Sequence, residues 1–242
     1  MPEHAMFKND LRRSRLVEVD FSESRMHNIW MENARITGAD FINTEIWGSC
    51  EGLTWDGIPI APLVEAEKLR RFPEHAKMKP TTPEGFREAW SILEGLWAAT
   101  VDRAQRLPEP MVHERVDGEW SFVETLRHLV GVTDGSVFRW VTGAQDYSWG
   151  PPVRGWGDVS PDPDDPTLEE VLVVRRDRMA RVREIVDALT ETELDRICDE
   201  TTDPVRHYLE IVVAEEWAHH QYACRDLDVL QQHRSTEPSS GA

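Results

Sequence analysis

The sequence predicts a mainly α-helical chain, a four-helix bundle preceded by a short segment of another kind. Three observations predict it. Beyond residue 82, apolar residues recur every three or four positions along long stretches, which is the spacing of one helix face. Those stretches open on a capping residue or a proline and close at a break. Between residues 10 and 49 the period is instead five, which fits neither a helix nor a strand. The chain divides into a repeat segment at 1–57, a connector with a short helix at 58–82, the bundle at 83–234 and a polar tail at 235–242, expected to be disordered.

The repeat runs DLRRS, RLVEV, DFSES, RMHNI, WMENA, RITGA, DFINT, EIWGS from Asp10. Its second positions are Leu11, Leu16, Phe21, Met26, Met31, Ile36, Phe41 and Ile46, all apolar. Mostly small side chains stand two places before each: Ser14, Val19, Ser24, Ile29, Ala34, Ala39 and Thr44. The pattern resembles the pentapeptide-repeat family. That resemblance implies a short right-handed β-helix of about two coils, too few layers to bury much surface alone and so expected to dock on something else.

After it, "DGIPIAP" reads as a turn and residues 62–71 as a short helix. Thr82 followed by Pro83 opens a helix expected to reach residue 107, with Phe86, Trp90, Leu93 and Trp97 on one stripe. Ser121 is a candidate N-cap for a second helix to about residue 142. Thr167 and Glu170 form a capping-box signature for a third, to about 189, and Thr190 with Glu193 repeats it for a short helix. Pro204 marks the start of the last, carried to about residue 232. Between the second and third lies a long loop, 143–166, rich in proline and tryptophan; loops of that length are usually functional. Four long amphipathic helices with one long crossover make a bundle.

Composition excludes several classes. The formal charge is −18, with 45 acidic against 27 basic residues, and so acidic a surface repels nucleic-acid phosphates and anionic membranes. No apolar run spans a bilayer and the N-terminus lacks a signal-peptide core, so a cytoplasmic protein is expected. Three scattered cysteines argue against a disulfide framework. Ten tryptophans suggest a well-filled core or an aromatic-lined pocket.

The last helix carries "EEWAHHQYACRDLDVL". Leu209, Val213, Glu216, His220, Cys224 and Leu227 make one stripe, interrupted by a carboxylate and an imidazole four apart. Such a pair projects side by side and can reach one divalent ion, but an ordinary Glu–His hydrogen bond explains the spacing equally well. His128, flanking the stripe of the second helix, is the candidate third ligand. Glu215 and His219 repeat the spacing on a more polar face and are expected at the surface, or as outer support at most.

"W-S-(6)-H-L" at Trp120, Ser121, His128 and Leu129, followed by "E-W-A-H-H", is similar to the DinB-like superfamily of metal-dependent four-helix bundles. Related proteins are the bacillithiol and mycothiol S-transferases. The resemblance implies a divalent metal (Zn, Fe, Mn or Ni) held by His128, Glu216 and His220. It also implies a low-molecular-weight thiol such as mycothiol or bacillithiol acting on a small-molecule electrophile, and it allows a homodimer. The implied activity is an S-transferase or a related thiol-dependent isomerase or hydrolase, with metal-bound water or thiolate as the catalytic group. Tyr147, Trp149, Arg154 and Trp156 in the long loop are the expected substrate contacts. A non-catalytic stress-response or interaction module using an acidic β-helical surface is the alternative.

Overall fold

The computed structural model describes residues 10–26, 29–144 and 166–236. The expected substrate contacts Tyr147, Trp149, Arg154 and Trp156 lie outside the described residues.

The five-residue period appears as backbone corners. Left-handed φ recurs at Arg13, Glu18, Glu23, Asn33, Gly38, Asn43 and Gly48, and turns close from Ser14 N–H to the Leu11 carbonyl and from Ser24 N–H to that of Phe21. The β-helix expected from the repeat is not evident. Among the described residues the only strands are β1 (Thr54–Trp55) and β2 (Ile58–Pro59), an antiparallel pair joined through Asp56 and Gly57. The repeat's apolar side chains stay largely uncovered, from 41% exposed at Phe41 to 74% at Ile46. Asp56 and Gly57 both have positive φ, as a two-residue hairpin turn requires.

Helix α1 (Ala61–Arg71) buries no residue, and a 3₁₀ turn (Pro73–Lys77) leads to α2 (Pro83–Ala104). The Thr82 hydroxyl accepts from Gly85 N–H at 3.1 Å with proline in the first turn, as its sequence indicated. A one-turn helix α3 (Glu109–Val112) precedes α4 (Phe122–Thr133), whose capping box joins Ser121 and Glu124 reciprocally. The helix expected to run on to 142 instead widens into a π-helical stretch (Asp134–Val141), where Thr142 N–H reaches the Val137 carbonyl. The switch falls on the Asp134–Gly135–Ser136 run, weak helix formers all. Helix α5 (Leu168–Ala188) opens on the Thr167–Glu170 capping box, α6 (Glu191–Asp195) on Thr190, and α7 (Val205–Thr236) closes the bundle. Among the described residues no helix is long and apolar enough to cross a membrane.

Helix α7 packs against α2, α4 and the π stretch, and α5 against α2 and α4. The core falls into two apolar clusters. One gathers Phe86, Trp90, Leu93, Val137, Val182, Leu209 and Trp217; the other gathers Trp97, Phe122, Leu126, Leu129, Leu172, Leu227 and Leu230. Between them runs a buried polar belt: Thr100 on α2, Thr133 and Asp134 at the end of α4, Arg175 on α5, Glu216 and His220 on α7. Each charge in the belt is paired, as burial demands. Arg178 Nε donates to Asp134 at 2.6 Å, and Arg175 clasps Glu216 with two N–H groups.

Candidate metal centre

Helix α7 presents two adjacent Glu–His pairs, and the packing of its neighbours decides what each pair meets. The inward pair, Glu216 and His220, is buried as its stripe indicated, but it meets other partners than His128. The Glu216 carboxylate, fully buried, accepts from Arg175 Nη1 at 2.7 Å and from Nη2. That guanidinium lies 5.4 Å from the centre of the Trp97 ring. A cation was needed to offset the buried carboxylate, and α5 supplies it as an arginine. His220 Nε2 stands 2.9 Å from the Thr100 hydroxyl and 3.5 Å from Cys224 Sγ, and burial pushes its pKa down. The expected grouping of Glu216 and His220 with His128 is not what the structure shows: their polar atoms face Arg175, Thr100, Cys224 and Gln221 instead.

The pair assigned to the surface, Glu215 and His219, is the one that meets His128. Glu215 Oε2 lies 3.1 Å from His128 Nε2 and 3.2 Å from His219 Nε2. One donor atom from each of the three residues lies within 4.8 Å of the others, and among the described residues this is the group that could hold a metal ion. The two imidazoles, hydrogen-bonding first from His128 and then from His219, hold the Glu215 carboxyl down to about 2. All three side chains are partly exposed, Glu215 the most at 39%.

The donor set fits a divalent metal. A metal bound at about 2.0–2.1 Å sets neighbouring donors roughly 3–3.4 Å apart, and the two oxygen–nitrogen separations already lie in that range. Two imidazoles and a carboxylate on two helices leave positions open on the remaining side, the donor set of catalytic zinc and of non-haem iron sites.

Aromatic rings hold the imidazoles in place. The Trp120 ring sits 4.7 Å from that of His128 and stacks on that of His219 at 5.9 Å and 18°; the two imidazoles are 4.6 Å apart. Tyr222 meets His219 edge-on at 5.8 Å. Trp120 lies just before the α4 cap at Ser121, and its ring stands beside that of His128 further along the same helix. Arg127, next to His128 in the chain, is buried. Cys224 sits beside His220.

One signal in the sequence pointed to the pair that meets His128. His128 flanks its own apolar stripe, so its partners across α7 belong on a flank too, where Glu215 and His219 stand. Nothing comparable marked Trp120 as a support, beyond its place in the motif.

A search of the curated proteins finds no match to the chain. The family model of the DinB superfamily matches residues 92–223, more than half of the chain and inclusive of all three donors, and the chain belongs to that superfamily.

Proposed function

We propose, from membership of the DinB superfamily, that this protein is a metal-dependent transferase joining a low-molecular-weight thiol to a small electrophile, or a related thiol-dependent isomerase or hydrolase. Its metal ligands are His128, Glu215 and His219. The observation that carries this reading is the single Glu215 oxygen set almost equally from two imidazole nitrogens on two helices. Zinc, iron, manganese and nickel all suit this donor set. When bound, such an ion supplies Lewis acidity toward a coordinating oxygen or sulfur.

The chain's own residues do the rest. Glu215 is anionic throughout the neutral range and offsets part of the ion's charge. The imidazoles donate through Nε2, with Trp120 and Tyr222 fixing the planes of the rings. Trp120 also covers one side of the site, leaving the opposite side for thiol and electrophile. Mycothiol, bacillithiol or another small thiol is the proposed co-substrate.

The test is metal analysis of protein purified without chelators, then conjugation assays pairing cellular thiols with model electrophiles. Stoichiometric metal, lost in His128→Ala, Glu215→Ala and His219→Ala, with thiol-dependent turnover, is the expected result. Absence of bound metal in the wild type refutes it. Bound metal without turnover favours an interaction module, for which the arm's exposed Trp30, at 90%, and Ile42, at 77%, are the relevant surface. That surface is only mildly acidic, with five arginines and seven carboxylates between residues 10 and 49.

A further inference from the structure

The N-terminal arm, residues 10–49, reaches the bundle beside the metal centre rather than at a remote face. We infer that it is a component of that centre, with Trp47 as a positioning residue for the two ligand imidazoles.

Two chains of contact lead from Trp47 to the ligands. The first is aromatic. The Trp47 ring meets Tyr222 edge-on at 6.0 Å and 64°, and Tyr222 meets His219 edge-on at 5.8 Å and 79°. The second runs through a cation. The Arg225 guanidinium lies 4.9 Å from the Trp47 ring centre and 5.4 Å from that of Tyr222, between the arm and α7. It donates to Glu119 at 2.5 Å and to Asp226 at 2.7 Å. Glu119 is the neighbour of Trp120, the ring that rests on both imidazoles. Trp47 therefore bears on His219 through Tyr222, and on both imidazoles through Arg225, Glu119 and Trp120.

A second anchor returns to the same loop. Arg25 pairs with Asp117 at 2.5 Å, and the loop is folded tightly there by left-handed φ at Asp117 and Gly118. Arg25 thus engages the segment that carries Trp120 directly, and Trp47, 22 residues on, engages it through Arg225. An exposed ion pair alone holds little, so the burden falls on the Trp47–Arg225–Tyr222 stack, whose cation–π contact is the stronger element. A tether meant only to secure the arm could use any face of the bundle. This one ends on the groups that orient metal ligands, and ligand orientation is what outer supports control.

The inference deepens the metal reading, and its test separates the two. Full-length Trp47→Ala, Trp47→Phe and, as a control on the arm, Trp30→Ala are compared with the wild type. The first readout uses metal-free protein: the imidazole Hε1 resonances of His128 and His219. The second is Co²⁺ affinity and the visible ligand-field spectrum of the Co²⁺ form. Trypsin cleavage at the arm's arginines reports docking separately. Trp47→Ala is expected to move both imidazole resonances, alter the Co²⁺ spectrum and weaken Co²⁺ binding about tenfold, the low end for loss of a ligand support. Trp47→Phe restores most of this, and Trp30→Ala matches the wild type. Unchanged resonances and Co²⁺ affinity in Trp47→Ala overturn the inference, even where trypsin cuts the arm faster, because the arm is then only docked. A wild type that takes up no Co²⁺ refutes the metal reading, and the imidazole resonances alone then decide the role of Trp47.

Discussion

Two adjacent glutamates on α7 should respond to truncation in opposite ways. Glu216→Ala leaves the Arg175 guanidinium, itself 3% exposed, without its counter-charge. Removing one partner of a buried pair costs about 3–5 kcal/mol, since the surviving charge stays desolvated. For a chain of this size about 1 kcal/mol moves the melting temperature by roughly 2–4 °C, so a drop on the order of 10 °C is expected. Metal content of the folded variant should be unchanged. Arg175→Met combined with Glu216→Leu removes both charges at similar volume and should recover most of the loss. Glu215→Ala should do the reverse. With 39% of its side chain exposed, its hydrogen bonds to the imidazoles are solvent-screened, and truncation in chelator should cost no more than about 1 kcal/mol. Bound metal should be lost, because a ligand is gone. Thermal melts with and without chelator, together with metal analysis of each variant, read both effects. A folded Glu216→Ala protein without metal, beside a Glu215→Ala protein that keeps it, would refute the assignment of the outer pair.

Further outcomes follow from the same geometry. His128→Ala and His219→Ala should each abolish metal retention while leaving the far-ultraviolet circular dichroism unchanged. In metal-free protein the Glu215 carboxyl sits at about 2 against an ordinary 4.5, so on acidification the unfolded chain takes up this proton first. The stability it contributes is full above 4.5 and is lost as pH falls toward 2; Glu215→Gln should flatten that limb in urea melts across the window. Thr100→Val removes the partner of buried His220 and should cost about 1–3 kcal/mol in chemical denaturation, with metal content intact. Ser121→Ala breaks the α4 capping box and should cost about 1 kcal/mol, read by the same denaturation.

The helices were legible in the sequence because their signals are local. Thr82–Pro83, Ser121–Glu124, Thr167–Glu170 and Thr190–Glu193 satisfy the first N–H groups of a helix whatever lies beyond it, and each cap is present. The π-helical stretch was not legible, since Asp134, Gly135 and Ser136 weaken an α-helix locally without specifying a wider turn. The five-residue repeat is visible as periodic backbone corners, while the β-helix implied by its family resemblance is not evident among the described residues. The repeat's apolar side chains stay exposed, so no covering layer holds them, and a period alone does not reveal whether such a layer exists.

What the sequence by itself determined is the angle at which each α7 residue leaves the helix: Glu216 and His220 inward, Glu215 and His219 to one side. Only the tertiary structure decided which pair meets His128. Arg175 comes from α5, 41 residues before Glu216, and neutralises the inward carboxylate. His128 comes from α4, 87 residues before Glu215, and completes the outer cluster. The periodicity of one helix carries no information about the charge on the helix packed against it. That opposing charge settles which carboxylate is neutralised in the core and which is left to the imidazoles on the flank.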